Sequence, residues 1–143
     1  MRAVIQVVTE ASVEIEGEVV GRIEEPGLVV LVGATHDDGE EQCQWLARKI
    51  TDLRILREEK SALDVGAPVL LVSQFTLYAD VKKGRRPSWS KAAPGPVAEP
   101  LVDRLAELIR ERGLTVETGR FGADMQVSLT NDGPVTIILD TPA

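Results

Sequence analysis

Histidine and cysteine are almost missing from this chain of 143 residues, which has only His36 and Cys43. One cysteine excludes an intrachain disulfide, so a reducing cytoplasm is the expected setting. The same scarcity excludes a four-ligand zinc site built from Cys and His. A Ser-His-Asp triad would have to recruit His36, which sits beside Asp37 and Asp38 in an acidic turn and reads as a surface residue. Neither a Gly-rich phosphate loop nor an internal repeat is present, and no run approaches the roughly 18 apolar residues of a membrane span. The opening MRAVIQVVTE has no long apolar stretch or small-residue cleavage site, so it reads as a β-strand and not as a signal peptide. No metal and no cofactor are expected, and an enzyme made from these residues has to work without the usual general base.

The composition that remains is that of a soluble globular domain, 43% hydrophobic and 27% charged. A chain of this length buries roughly 70% of its unfolded surface as one domain, here residues 1–143. Net charge is −7, yet KKGRRPSWSK (82–91) carries Lys82, Lys83, Arg85, Arg86 and Lys91 with no acid. That stretch is either a solvated loop stiffened by Pro87 or a local phosphate-contacting surface with one aromatic, Trp89.

The patterning predicts an α/β domain. Residues 1–8 are strand-like, SVEIEGEVVGRI (12–23) alternates as a hairpin, and GLVVLVGA (27–34) is a strand buried on both faces. Residues 37–53 change to helical spacing, with Asp38 as cap, and LRIL (53–56) is a short strand. After a polar, turn-rich segment (57–68) comes a buried strand, VLLVSQFTL (69–77). A second helix spans about 97–112, with Gly113 at its end, and three strands follow at 114–119, 124–130 and 134–140. The expected order is β-β-β-α-β-β-α-β-β-β, with two helices on one face of a mostly antiparallel or mixed sheet.

Two segments are chemically loaded. In SQFTLYAD (73–80), Ser73, Gln74 and Thr76 surround Phe75 at the end of an apolar strand. They are either core polar groups satisfied by neighbours or the lining of a pocket. In SLTNDGPVTIILD (128–140), Gly133-Pro134 interrupts a strand-like run; proline fixes φ and removes an N–H, so the pair sets the direction of nearby carbonyls or is simply a turn.

SQFTL and NDGPVT together resemble the two signature motifs of the D-aminoacyl-tRNA deacylase family. ASVEIEGEVVGRI, KGRRPSWS and VETGRFGADMQVSLTNDGPVT extend the resemblance in order over almost the whole chain. It implies a homodimeric α/β hydrolase with its active sites at the dimer interface, acting on the acceptor end of D-aminoacyl-tRNA and of wrongly charged glycyl-tRNA. It implies that Gly133-Pro134 is a cis peptide entering the partner's pocket, with main-chain oxygens that hold the substrate ammonium and leave no room for an L side chain. Ser73, Gln74, Phe75 and Thr76 would line the aminoacyl and ribose end. Thr76 would position and not attack, since no base is at hand to deprotonate it. Phe121, Gly122 and Met125, with Asn131, would hold the substrate, and Lys82, Lys83, Arg85 and Arg86 would meet acceptor-stem phosphates. Two departures stand out. Val7 replaces the arginine usual in the family, which helps orient the Gly-Pro carbonyls, and leaves Gln6 as a nearby donor. REEKSALDVGAP is shorter than usual, which is expected to alter a surface edge only. The alternatives are a deacylase for a wrong L-amino acid, a nucleic-acid-binding module without catalysis, and a dimerising scaffold.

Overall fold

A computed structural model describes residues 1–142. Among them are six strands and three α-helices: β1 (Arg2–Ile15), β2 (Glu18–Ile23), β3 (Gly27–Gly33), α1 (Glu40–Asp52), α2 (Ala62–Val65), β4 (Val69–Ser73), α3 (Gly95–Glu111), β5 (Val116–Thr118) and β6 (Gln126–Asp140). The sheet is mixed, in the order β2-β1-β3-β4-β5, with β6 along the other edge of β1. β1 runs antiparallel to β2, β3 and β6, while β3, β4 and β5 are parallel.

The apolar runs of β3 and β4 are buried on both faces because they serve two cores. Leu28, Val30, Val69 and Leu71 face α1 and α3 together with Leu46, Ile50, Leu105 and Ile109. Val29, Leu70 and Val72 face the other way, against Val13, Ile23 and the partly buried Val127 and Leu129. Full burial of each such aliphatic side chain stabilises the fold by about 1.5–3 kcal/mol. The helices cover one face; the sheet curls until its other face nearly closes on itself. At the seam β2 meets β5, and a Cβ on Gly21 would stand 2.6 Å from the Thr118 carbonyl oxygen.

Several expected boundaries are corrected. The first strand and the first arm of the hairpin are one strand, β1. The last two expected strands are likewise one, β6, which continues through Gly133-Pro134 because pairing with β1 resumes on either side. LRIL is not a strand; Leu56 only bridges Lys60 across a tight turn. The turn-rich segment holds a third helix, α2. Its cap is reciprocal: Asp64 N–H donates to Ser61 Oγ (3.1 Å) and Ser61 N–H donates to the Asp64 carboxylate (2.9 Å). That bond holds the Asp64 carboxyl below its ordinary pKa. Asp38 does not cap α1; it accepts from the Met1 ammonium (2.8 Å) and from Thr35 N–H (2.7 Å). The strand expected through residue 77 stops at Ser73, where a 3-10 turn (Phe75–Tyr78) begins.

The seam gives a direct test of the closure. Gly21→Ala is expected to cost about 1–3 kcal/mol, the usual penalty for overpacking. It should lower the urea midpoint and leave the denaturant slope unchanged.

Candidate active site

β3 and β4 end side by side, and the chain leaves the sheet at the carboxyl ends of parallel strands, where α/β sheets commonly hold ligands. Gln74 N–H donates to the Val32 carbonyl (2.7 Å), and Leu77 N–H returns to the Gln74 carbonyl (3.3 Å). This tight exit needs glycine at position 33, since a Cβ there would stand 2.8 Å from the Gln74 carbonyl oxygen. The turn presents Phe75 outward, 54% exposed. It also brings Gln74 Nε2 onto Thr76 Oγ1, so the hydroxyl accepts a hydrogen bond and has no base beside it. Arg2 secures the turn from below: its Nε donates to Asp140 (2.7 Å), its other nitrogen to the Leu77 carbonyl (2.9 Å), and its guanidinium lies 5.1 Å from the centre of the Tyr78 ring.

Beside this turn opens a cavity of about 300 Å³. Ser73, Gln74 and Phe75 form one side; Trp89, Ala92 and Ala93 a second; Gly95, Ala98 and Val102 of α3 a third; Phe121 and Gly122 the rim. Phe75 and Trp89 meet edge to face, with ring centres 5.2 Å apart and planes at 72°. Both phenylalanines of the chain and one of its two tryptophans therefore stand at one mouth, each more than a third exposed. Exposed rings gathered in this way suit stacking against a planar group. The loop carrying Trp89 is tied down by His36, whose Nε2–H donates to the Ser90 carbonyl (2.7 Å), by Thr35 Oγ1 to the Lys91 carbonyl (2.5 Å), and by Ala93 N–H to the Ala34 carbonyl (2.9 Å).

No residue lining the cavity is ionisable. The unusual titrating groups lie elsewhere. Burial, reinforced by Glu40 and Asp38, pushes the Cys43 thiol up to about 11. Burial and Asp38 likewise push Tyr78 up to about 12. What the cavity can offer a reactant is hydrogen bonds from Ser73, Gln74 and the backbone, together with apolar and aromatic walls.

Gly133 and Pro134 are exposed and do not line this cavity. Their peptide bond is cis. Between the pairs Gln6↔Thr136 and Val8↔Asn131, Val7 alone faces residues 132–135, so the segment bulges out of β6. Asn131 ties its base: Nδ2 donates to the Val7 carbonyl (2.8 Å) and to the Val135 carbonyl (3.1 Å). Gln6 donates to Thr136 Oγ1 (3.1 Å), outside the bulge. Met125 is also away from the cavity lining; it joins the second core and fills the space beside Gly119. Lys82, Lys83, Arg85 and Arg86 are exposed on a loop closed by paired Asp80–Ser88 backbone bonds (2.9 and 2.8 Å). Among the described residues none of these four cations meets an acid. Sequence reasoning missed Arg2 and the tethering role of His36, whose partners lie 54 or more residues away.

Fold and cavity together define a small α/β protein whose curled sheet holds a ligand cleft at the ends of its parallel strands. The profile of the D-Tyr-tRNA(Tyr) deacylases matches residues 4–140, and the chain belongs to that family. It is 67% identical over 140 residues to a D-aminoacyl-tRNA deacylase of Kineococcus radiotolerans, covering 98% of this chain and 99% of that one. It is 62% identical to the one of Thermobifida fusca, with the same coverage. Among solved structures, one described as a c-Myc DNA unwinding element binding protein superposes over the full length of both chains, at TM-score 0.92 and 40% identity. A probable eukaryotic D-amino acid tRNA deacylase shares the fold at TM-score 0.80 and 17% identity, covering 96% of this chain and 97% of that one.

The raised thiol pKa sets a simple expectation. Cys43, fully buried, should resist a thiol reagent at pH 8 in the native protein and react fully once the chain is unfolded in urea, as followed by thiol titration.

Proposed function

We propose that this protein hydrolyses the ester bond of D-aminoacyl-tRNA, and of glycyl-tRNA charged on the wrong tRNA, releasing free tRNA and the amino acid. The observation that carries the reading is the cavity with an aromatic mouth and no ionisable side chain. An aminoacyl ester is already activated, so orientation and backbone donors go far towards the required barrier reduction. Phe75 and Thr76 open the 3-10 turn, so their N–H groups have no partner within it. We assign these as donors to the oxyanion that forms when water adds to the ester carbonyl, each worth about 3 kcal/mol if well aimed. The 2′-OH of the terminal ribose accepts the proton of the attacking water and passes one to the departing 3′-oxygen. Ser73 and Gln74 orient the ester, and Gln74 holds Thr76 in a positioning role.

Phe121 and Gly122 take the terminal adenine, with Met125 backing Gly119 behind them. Lys82, Lys83, Arg85 and Arg86 meet acceptor-stem phosphates. The gate is the Asn131–Pro134 corner of a second copy: its main-chain oxygens bind the substrate ammonium, and its bulk excludes an L side chain. A homodimer with interfacial sites is supported by the exposure of Gly133 and Pro134 away from their own cavity, by the free edge of β6, and by Ile138, 66% exposed on that strand. The protein acts in the cytoplasm, where charged tRNA is found. A second reading, a nucleic-acid-binding module without catalysis, is favoured by the four exposed cations at 82–86 and by the description of the 40%-identical structure.

Matched D-Tyr-tRNA and L-Tyr-tRNA decide between these. The D ester should be cleaved and the L ester spared. Gly133→Ala, whose Cβ would stand 3.1 Å from Asn131 Oδ1, should lose about 100-fold on the D ester, as expected for a small misplacement of a positioning element. Salt-sensitive tRNA binding with neither ester cleaved would establish the binding module instead. Thr76→Ala should lose about 10–100-fold in kcat; a loss near the roughly 10⁶-fold that follows removal of a nucleophile would make Thr76 the attacking group.

A further inference from the structure

The corner at Gly133-Pro134 needs fixing in space, and the strand it faces cannot do this with a side chain. Val7 is apolar and buried, and contributes only its carbonyl, to Asn131. Gln6 is engaged with Thr136, beyond the bulge. The bulged segment nevertheless has a second anchor. Asp132, directly before Gly133, accepts two parallel hydrogen bonds from one guanidinium: Arg57 Nε to one carboxylate oxygen at 3.0 Å and a terminal nitrogen of Arg57 to the other at 2.7 Å. We propose that Arg57 is a positioning residue for the corner, and that its two-bond grip on Asp132 sets where the main-chain oxygens of Gly133-Pro134 stand.

A single exposed ion pair adds little to stability, and Arg57 is 82% exposed. A two-bond fork differs in that it fixes orientation as well as distance, and here it grips a carboxylate only 19% exposed. The carrier of Arg57 is itself stiff. Leu56 N–H donates to the Lys60 carbonyl (3.0 Å) and Lys60 N–H to the Arg57 carbonyl (3.4 Å), closing a tight turn. Within that turn Glu58 and Glu59 both take left-handed backbone angles, φ 63° and 56°, which side-chain-bearing residues rarely adopt in succession. Ile55 and Leu56, just before it, pack on the helix-side core. Arg57 thus leaves the core directly after Leu56, at the start of a closed turn, and its side chain spans to the corner. Asn131 holds the base of the bulge and Arg57 holds its flank.

The inference rests on the corner being the gate, so the test reads the corner both through catalysis and directly. Arg57→Ala, Arg57→Lys, Asp132→Asn and the Arg57→Ala/Asp132→Asn double variant are compared with the unaltered full-length protein. On D-Tyr-tRNA, Arg57→Ala should raise KM about fivefold and leave kcat within about twofold, while hydrolysis of L-Tyr-tRNA rises about fivefold, the scale of one well-formed charge-assisted pair. Arg57→Lys should recover part of the loss, and the double variant should be no worse than either single one, since both remove the same contact. Amide exchange of the segment 131–136 should quicken in Arg57→Ala with the melting temperature nearly unchanged. Unchanged selectivity with unchanged exchange in Arg57→Ala would overturn the assignment and leave the gate intact. If the unaltered protein fails to distinguish the two esters, the gate reading falls on its own, and the exchange rates alone decide: faster exchange keeps Arg57 as the anchor of the corner, unchanged exchange removes it.

Discussion

The fold depends on what β1 does between Val8 and Ala11. Its first half points Ala3, Ile5 and Val7 into the core under the helices, while Val8, Ala11 and Val13 enter the core on the other face. A pleated strand alternates faces strictly, so Val8 belongs opposite Val7, but Ala11 and Val13 can share the face of Val8 only if one extra residue intervenes. The pairing with β6 shows it, as a shift in register between Val8 and Glu10. A second shift, between Gln6 and Val8, lies on the β6 side, where residues 132–135 are pushed out. The change of core along β1 and the protruding Gly-Pro corner therefore meet at one short stretch, Gln6 to Glu10.

This also explains which parts of the architecture could be read from the residues. The continuous apolar runs of β3 and β4, and the helical spacing around Leu46–Ile50 and Leu105–Ile109, reflect burial patterns that local sequence carries directly. β1 and β6 each looked like two strands because the irregularities between Val8 and Ala11 and at Gly133-Pro134 interrupt alternation, as a turn would. α2 was legible in principle, for Ser61 and Asp64 have the spacing of a reciprocal cap, but four residues in a polar stretch give little periodicity to notice. LRIL has strand-like composition and no strand to pair with.

At the site, the turn residues 73–76 and the rim residues Phe121 and Gly122 stood out through motif resemblance; the structure brings Ser73, Gln74, Phe75, Phe121 and Gly122 to one cavity and leaves Thr76 outside its lining, bonded to Gln74. The cavity's third side did not stand out, because Gly95, Ala98 and Val102 are chemically plain and matter only through the close approach they allow. Nor did the anchors. Arg2 reaches Asp140 and Arg57 reaches Asp132, 138 and 75 residues apart. No local pattern distinguishes such an arginine from a solvated one.

His36 tethers the loop that walls the cavity with Trp89 and also carries the exposed cations at 82–86. One short span thus bears on one side of the cleft and on the exposed cationic surface. The paired Asp80–Ser88 bonds close the cationic stretch on itself, and the Ala93–Ala34 bond fixes the far end of the span to the body of the protein. The position of the exposed cations and the position of the ring at the mouth are in this way set by the same few tethers, His36–Ser90, Asp80–Ser88 and Ala93–Ala34.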